Sequence, residues 1–288
     1  MTARADHPDK QPEILAGRIR EALQLLHLQQ VASRFEEALA APQPECSRLE
    51  WLWSLLEPQA RFRVESRTER RIRESRLPER KTLDGFDFAF QPELDKDLVL
   101  ELATLGFLDR GHNVLLAGMS GTGKSHIAKA LGLNACVANR RVRYTTSADM
   151  LATLTATLVD KSLPAALKAY TRPELLIIDE IGLEQVEAPV ASQSGLLQKV
   201  LIPRYNQQRS TIVTSNIPWE SWGEYFGDAL GATAIIDRLL HHSHVIVIEG
   251  PSYRDHIHRQ EAEERRTQSE SAPPTEPSKA DRRKKKRA

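Results

Sequence analysis

A glycine-rich segment at residues 118–125 constrains the fold of this chain more than any other feature. It reads Gly-Met-Ser-Gly-Thr-Gly-Lys-Ser and fits the pattern G-x-x-x-x-G-K-[ST] at every position. An apolar, strand-like stretch at 114–116 runs into it, and a helical pattern starting at His126 leaves it. Glycines let backbone N–H groups turn inward around phosphate oxygens, and the following helix N-terminus adds positive potential. The segment therefore predicts a nucleoside triphosphate site between a strand and a helix.

Every position of this segment is a candidate nucleotide contact. The eight residues are Gly118, Met119, Ser120, Gly121, Thr122, Gly123, Lys124 and Ser125. In loops of this kind the lysine brings a full positive charge to the β- and γ-phosphates, and the hydroxyl after it ligates Mg²⁺. Lys124 and Ser125 are thus the predicted phosphate and magnesium residues.

A second apolar strand ends in two carboxylates. Residues 175–178 read Leu-Leu-Ile-Ile and are followed by Asp179 and Glu180. We expect Asp179 to reach the shell of the Mg²⁺ ion and Glu180 to orient or deprotonate the attacking water. Because the second carboxylate can act on the attacking water, this pair favours hydrolysis of the nucleotide over its storage.

Two further polar residues fit such a site but also have simpler interpretations. Asn216 follows the strand-like residues 211–214, and it reaches the γ-phosphate or the water if that strand lies beside the first two; otherwise it forms an Asx turn before Pro218. Arg238 lies in a helix-sized stretch, 234–240. It is either an arginine finger onto the γ-phosphate of a neighbouring subunit or a partner in a salt bridge.

The chain after Lys81 has the texture of an α/β protein. Five short apolar strands, at 113–117, 142–145, 175–178, 211–214 and 245–248, alternate with helix-sized stretches such as 126–138 and 193–207. That alternation predicts a parallel sheet between helices. From residue 262 the sequence turns Glu/Arg-rich and then Ser/Pro/Thr-rich, so we expect disorder over 262–288.

The residues before this region predict a small helical module. Apolar residues recur at helical spacing over 13–40, with a break near His27. A second helix starts near Ser47, and Pro58 argues for an interruption in it. We expect Trp51 and Trp53 to pack in a core. The predicted domains are therefore 1–81, helical and binding DNA or a partner; 82–258, the ATPase; and 259–288, a polar basic tail.

A net charge of +1 conceals a strongly basic segment just before the α/β region. Nine basic and four acidic residues lie between Arg61 and Lys81, which points to a polyanion, although a solvated helix face is the simpler alternative. The candidate DNA contacts are Arg61, Arg63, Arg67, Arg70, Arg71, Arg73, Arg76 and Arg80. The last ten residues are also basic, and they either contact the same polyanion or act as a solubilising tail.

Several classes of protein do not fit the composition. The 288 residues contain no run of about 18 apolar residues and no signal-like N-terminus, so we expect a cytoplasmic protein with no membrane partner. Cys46 and Cys136 are far apart and are expected to be reduced thiols. The histidines His241, His242 and His244 lack a cysteine or carboxylate pattern around them, which favours a structural or interface role over zinc.

The run from Leu83 to Arg254 resembles the IstB/DnaC group of AAA+ ATPases. The similarity rests on Phe86-Asp87-Phe88, the phosphate loop followed by His126, Asp179-Glu180-Ile181-Gly182, Thr214-Ser215-Asn216 and Asp237-Arg238-Leu239. Three further stretches are similar to IstB-like transposition helpers: Trp222-Gly223-Glu224 with Phe226-Gly227-Asp228, residues 237–243, and Ser252-Tyr253-Arg254. The helical stretch before Leu83 is similar to theirs as well.

This resemblance implies a five-stranded parallel sheet, ATP-dependent homo-oligomers on duplex DNA, and a partner transposase. It adds His126 to the nucleotide-binding set, makes Asn216 the first sensor, and makes Arg238 the finger acting in trans. Too few residues follow the last strand for a full helical lid, so Arg254 is the candidate second-sensor arginine. The adenine pocket stays unassigned.

Two other functions remain open at this point. A DnaC-like helicase loader shares the ATPase core but would bind a helicase through its N-terminal module and prefer single strands. A nucleotide-gated scaffold would bind ATP and scarcely hydrolyse it, which Glu180 argues against.

Overall fold

The structure is a computed structural model that describes residues 12–40, 47–159, 161–182 and 190–271. Its described residues fall into two compact units. The first comprises those up to Ser75 together with Cys136–Arg140, and the second comprises the rest. The boundary after Ser75 lies ahead of the one predicted after Lys81.

Three helices form most of the first unit: α1 (Pro12–Leu25), α2 (Gln29–Ala40) and α3 (Arg48–Ser75). His27, with φ of 54°, separates α1 from α2, which confirms the predicted break. Ser47 and Glu50 start α3 with reciprocal contacts: the Glu50 N–H donates to Ser47 Oγ at 3.2 Å, and the Ser47 N–H donates to Glu50 Oε2 at 2.7 Å.

The expected interruption at Pro58 is wrong, because α3 continues through it. A proline removes one backbone donor and strains one turn, and packing on both sides can hold the helix together. Leu55 and Gln59 are buried on either side, and Gln59 Oε1 accepts the Gln30 N–H at 3.0 Å.

The prediction that both tryptophans pack in a core is wrong for Trp53, whose side chain is 61% exposed. Trp51 lies one turn before the buried Leu55 and is half-buried. Trp53 is only two residues from Leu55, so the helical period turns it to the opposite side.

The second unit holds a five-stranded parallel sheet, as predicted. The strands are β1 (Asn113–Gly118), β2 (Val142–Thr146), β3 (Leu175–Ile181), β4 (Ser210–Ser215) and β5 (Ser243–Ile248). Their order across the sheet is β2-β3-β4-β1-β5, and every pairing is parallel. β4 therefore lies between β1 and β3, and the carboxyl ends of these three strands meet at one edge.

Helices connect and cover these strands. They are α4 (Lys96–Ala103), α5 (Gly106–Asp109), α6 (Lys124–Val137), α7 (Ser147–Ala156), α8 (Leu163–Thr171), α9 (Val190–Asn206), α10 (Trp222–Tyr225), α11 (Ala229–Leu240) and α12 (Tyr253–Ser271). β1, β3 and β4 are almost wholly buried, as expected for central strands of a parallel sheet. One core cluster joins Leu176, Ile178 and Val213 of the sheet to Trp222 and Ile235.

The expectation of disorder from residue 262 is wrong as far as Ser271, where α12 ends. Helix-forming Glu, Arg and Gln residues dominate this stretch, and Arg265 pairs with Glu261 one turn earlier at 3.8 Å. The rest of the predicted tail, 272–288, lies outside the described residues, as does Cys46. Cys136 is a free, buried thiol. Across the described ranges, no helix has the length and apolar character that crossing a bilayer requires.

Candidate functional site

The glycine-rich segment joins β1 to α6, as its sequence predicts. Gly118, Gly121 and Gly123 have φ values of 146°, 84° and 101°, which favour glycine strongly. A Cβ on Gly123 would also lie 2.5 Å from the Phe86 ring. Thr122 Oγ1 donates to the Met119 carbonyl at 2.9 Å and closes the loop on itself. The loop therefore has the open, N–H-rich backbone that a phosphate requires.

Lys124 lies inside this loop with its side chain almost fully buried. Its Nζ donates to the carbonyls of Gly118 at 2.8 Å and Met119 at 2.7 Å. Burial lowers the pKa of Lys124 to about 8, against the opposing influence of the Asp179 carboxylate. Added negative charge from a phosphate would favour the charged ammonium.

Asp179, at the carboxyl end of β3, is completely buried and accepts three hydroxyl hydrogen bonds. Ser125 Oγ donates to its Oδ1 at 2.8 Å, and Thr214 Oγ1 donates to the same oxygen. Tyr144 on β2 donates to Oδ2 at 2.6 Å. Burial and this bond raise the pKa of Tyr144, so its hydroxyl stays protonated and remains a donor. The structure thus brings together the two predicted magnesium residues, whose hard oxygens suit that ion.

Glu180 has a strained backbone. Its φ is 67°, uncommon for a residue with a side chain, and the pairing of β3 with β4 shifts register between Ile178 and Ile181. The Glu180 N–H donates to Thr214 Oγ1 at 2.8 Å, and its carbonyl accepts Ser147 Oγ at 3.1 Å. These contacts hold Glu180 at the edge of the cavity that the phosphate loop lines.

Asn216 follows β4 and lines the same cavity as Glu180 and Lys124. Its N–H donates to the Ile181 carbonyl at 3.0 Å, which fixes the backbone just beyond both strands. The role predicted for Asn216 requires the strand before it to lie beside the two strands that carry the phosphate loop and the carboxylates. This is so, because β4 is the direct neighbour of β1 and β3.

The cavity measures about 390 Å³ and has an aromatic side that the sequence left unassigned. Phe86, Phe90 and Tyr253 line it, together with Gln91. Phe90 and Tyr253 meet edge to face with ring centroids 5.1 Å apart, and Gln91 Nε2 donates to the Pro251 carbonyl at 2.9 Å. Aromatic rings with a nearby amide suit a flat heterocyclic base. The only sequence signal for this aromatic side was Phe86, which belongs to the Phe86-Asp87-Phe88 motif shared with the IstB/DnaC group.

The segment after β5 lies on the phosphate loop. The Tyr253 N–H donates to the Gly121 carbonyl at 3.0 Å, and a Cβ on Gly121 would collide with Ser252. Arg254 is the next residue and lines the cavity. Its positive charge contributes to the lowered pKa of Lys124. His126 also lines the cavity, and its Nε2 lies 2.8 Å from the Thr82 carbonyl.

Comparison with known proteins identifies the family to which this chain belongs. The sequence model of a family described as "IstB-like ATP binding protein" matches residues 21–262. The chain belongs to this family. The match includes both the helical region and the α/β region, so the resemblance inferred from the motifs is confirmed.

Individual relatives of this IstB-like chain come from insertion sequences. The "Insertion sequence IS21 putative ATP-binding protein" of Pseudomonas aeruginosa is 38% identical over 242 residues, covering 84% of this chain and 88% of that protein. The "Insertion sequence IS5376 putative ATP-binding protein" of Geobacillus stearothermophilus is 35% identical over 252 residues, covering 87% and 99%. AMPPCP-bound DnaA from Aquifex aeolicus has a similar fold, with a TM-score of 0.51 and 19% identity over 66% of this chain and 56% of that one.

Arg238 of the IstB-like chain lies away from the nucleotide cavity. It sits in the last turn of α11, where its Nη1 donates to the Ala234 carbonyl at 2.6 Å, and it lines a second cavity near the amino ends of β1 and β4. A finger that acts on a neighbouring subunit has to lie outside its own site, so the trans role stays a prediction.

The candidate DNA-binding arginines divide by position. Arg61, Arg63, Arg67, Arg70 and Arg73 are exposed along α3. Arg71 is more enclosed and donates from Nε to Asn139 Oδ1 at 3.1 Å. Arg76 and Arg80 follow α3, belong to the second unit and are exposed.

The histidines form a ring-stacked group with one member that the sequence did not single out. The His112 ring stacks on the His242 ring with their centroids 5.6 Å apart, and its centroid lies 5.7 Å from that of His244. The ring centroids of His241 and His242 are 4.1 Å apart. Within the part of the chain that the structure describes, no three His, Cys, Asp or Glu residues are arranged to hold a metal ion.

Proposed function

We propose that this chain is a Mg²⁺-dependent ATPase that assembles on duplex DNA in its ATP state and recruits or activates a transposase. The observation that carries the ATPase part is that Lys124, Ser125, Glu180 and Asn216 line one cavity with an aromatic side, and that Ser125 is hydrogen-bonded to Asp179. Hydrolysis needs a phosphate cradle, hard oxygen ligands and a carboxylate near the attacking water, and these residues supply all three.

In the proposed reaction each residue has a separate task. The loop N–H groups and Lys124 bind the β- and γ-phosphates, and the aromatic side takes the adenine. Ser125 and Asp179 hold Mg²⁺, which neutralises phosphate charge when it is bound. Glu180 accepts a proton from the attacking water, and Asn216 orients that water or the γ-phosphate. Arg254, as a second sensor, contacts the phosphates from the segment after β5.

The site is proposed to be completed by a second copy of the chain. Arg238 of one subunit would stabilise the charge that develops on the γ-phosphate bound by the next, as an arginine finger does. Assembly and hydrolysis are then linked, so that ATP state sets how long the oligomer persists. Hydrolysis serves as the release step.

DNA binding is assigned to the helical module, residues 1–81, and the ATPase to residues 82–258, while 259–288 form a basic tail. The exposed arginines of α3 would contact phosphates, which positions the protein without reading sequence. The transposase partner follows from the insertion-sequence context of the relatives. A cytoplasmic location fits the nucleotide and DNA partners.

Glu180→Gln tests the ATPase assignment. It should leave ATP binding intact and lower turnover by about 100-fold or more, because proton acceptance is lost while the shape is kept. ATP binding by calorimetry and phosphate release are the two measurements. Turnover at the normal rate would contradict the role of Glu180.

Sedimentation and DNA binding, with and without ATP, test the assembly. ATP-dependent particles on duplex that weaken steeply with salt are expected. Arg67→Ala should lower the log–log salt slope by about 1, and Arg20→Ala, an exposed arginine on α1, should not. A preference for single strands, or binding only in the presence of a helicase, would instead support a helicase loader.

A further inference from the structure

The second cavity, which we call the amino-edge cavity, is strongly basic. It measures about 420 Å³ and opens where β1 and β4 begin, beside the ends of α9 and α11. Its basic lining residues are Arg110, His112, Arg204, Arg209, Arg238 and His242. Among the described residues that line it, none is Asp or Glu. A pocket with this lining favours an anionic group.

Two of these arginines build the wall. Arg204 is buried, and its guanidinium donates to Thr211 Oγ1 at 3.0 Å and to backbone carbonyls that include those of Tyr170 and Pro173 at 2.8 and 2.9 Å. Arg209 donates to the Thr171 carbonyl at 2.9 Å. Burial and the nearby Arg209 lower the pKa of Arg204 to about 9, so it remains charged at neutral pH.

Asn113 ties the base of the cavity to both neighbouring elements. Its Oδ1 accepts the Thr211 N–H at 2.9 Å, and its Nδ2 donates to the Leu239 carbonyl at 3.1 Å. Leu239 directly follows Arg238 in α11. The position of Arg238 is therefore fixed against the sheet, which suits a preformed site.

Arg110 and His242 accompany Arg238 at the more exposed side of this cavity. Both are exposed, and Arg110 pairs with Glu101 at 3.6 Å, a surface contact that another anion can replace at little cost. His242 is held by its parallel stack on His112. A guanidinium and an imidazole beside Arg238 form a suitable set of donors for a phosphate.

The nucleotide cavity lies at the opposite edge of the same sheet. Glu79, Asp87 and Glu180 line it together with the basic residues Lys81, Lys124, Lys129 and Arg254, so the charge that complements the basic amino edge is that of a bound triphosphate. A head-to-tail contact between copies places the amino edge of one on the carboxyl edge of the next, which generates a ring or a helical filament. Charge complementarity therefore favours a second copy of this chain, loaded with nucleotide, as the occupant.

We propose that the amino-edge cavity receives the nucleotide-loaded site of a second copy, and that Arg110 and His242 contact its terminal phosphate beside Arg238. This inference rests on the proposed composite ATPase and adds two phosphate-contacting residues to it. Arg110 was not a candidate on sequence grounds, and His242 was expected to have only a structural or interface role.

Mixed assemblies test the proposal. Arg110→Ala and His242→Ala should each lower turnover on DNA by about tenfold or more, as expected for loss of one transition-state donor, with ATP affinity of the isolated subunit unchanged. Adding Lys124→Ala subunits, which lack a working phosphate site but keep an intact amino edge, should restore turnover to either variant. Arg141→Ala is the matched control: it removes an exposed arginine at the start of β2, paired with Glu174 at 3.5 Å, outside the cavity.

The outcomes separate this inference from the proposed function. If Arg238→Ala is defective and is rescued by Lys124→Ala subunits while Arg110→Ala and His242→Ala behave as wild type, the inference is wrong and the composite site stands. If Arg238→Ala has no effect, the composite site fails as well. If Arg110→Ala weakens the binding of duplex DNA in the absence of nucleotide, the cavity binds the DNA backbone instead, and the inference is overturned. Thermal melting of each variant confirms folding.

Discussion

The hydroxyl of Thr214 on β4 donates a hydrogen bond to the buried carboxylate of Asp179 on β3. The oxygen of this hydroxyl, Thr214 Oγ1, also accepts a hydrogen bond from the Glu180 N–H at 2.8 Å. One side chain on the neighbouring strand thereby sets both carboxylate residues relative to each other, and it does so within two residues of Asn216.

Thr214→Val should impair both catalysis and folding. It leaves the Glu180 N–H and one Asp179 oxygen without this partner in a buried setting, which lowers the free energy of unfolding by about 1–3 kcal/mol. We expect turnover to fall by about tenfold or more, since the orientation of Glu180 is lost. Steady-state kinetics and urea unfolding measure the two effects. Thr214→Ser, which keeps the hydroxyl, should resemble wild type; a valine variant with normal turnover would refute the argument.

Tyr144→Phe should weaken binding of nucleotide only when Mg²⁺ is present. The Tyr144 hydroxyl fixes Asp179 through Oδ2, and loss of such a supporting contact typically lowers metal affinity by about tenfold. Titration of a fluorescent ATP analogue with Mg²⁺ and with a chelator separates the two states. Equal losses in both would mean that the phenylalanine variant had disturbed the phosphate loop instead.

Glu180→Gly should stabilise the protein while stopping hydrolysis. A left-handed residue with a side chain stores about 1–3 kcal/mol, and glycine removes that strain at a cost of about 0.5–1 kcal/mol in unfolded-chain entropy. Each kcal/mol corresponds to about 2–4 °C in Tm for chains of roughly this size. Glu180→Gln keeps the strained backbone and is the reference in thermal melts. A glycine variant that melts below the glutamine variant would show that the positive φ carries no strain.

ATP affinity should fall as the pH rises above about 8. Burial lowers the pKa of Lys124 to about 8 in the free protein, whereas contact with phosphates raises it. Binding at higher pH must therefore take up a proton, and linkage makes affinity decline by up to about tenfold per pH unit. Calorimetry near pH 8.5 in two buffers of different ionisation enthalpy counts that proton. An uptake of zero would contradict the lowered pKa.

The phosphate loop and the carboxylate pair could be predicted because each is formed by consecutive residues of the chain. The phosphate loop carries its own glycines, and the strand before Asp179 and Glu180 is apolar without interruption. Fold class followed from the alternation of such strands with helices. These features depend on neighbours in the chain, which a sequence displays directly.

Tyr144 could not be predicted, because its role depends on which strands are adjacent. It pairs with Ile177 across β2 and β3, and Asp179, two residues further, faces the same side of the sheet. Nothing near Tyr144 in the sequence marks this. The amino-edge cavity was missed for the same reason, since Arg110, Arg209 and Arg238 come from three separate parts of the chain.

The errors about helices have a related origin. Pro58 and the polar stretch after residue 262 were judged by local preference alone. Tertiary packing of Leu55 and Gln59 offset the proline, and side-chain pairs such as Arg265 with Glu261 support α12 where an apolar stripe is missing.

The absence of a side chain at Gly121 lets Ser252 lie directly on the phosphate loop, with the Tyr253 N–H bonded to the Gly121 carbonyl. The first turn of α12 and the phosphate cradle are therefore parts of one mechanical unit. Thermodynamic reciprocity then applies to them: if closing the loop on nucleotide shifts the start of α12, any molecule that holds α12 in that position tightens nucleotide binding by the same factor. Helix α12 would then be the element through which a binding partner sets the nucleotide occupancy of this protein.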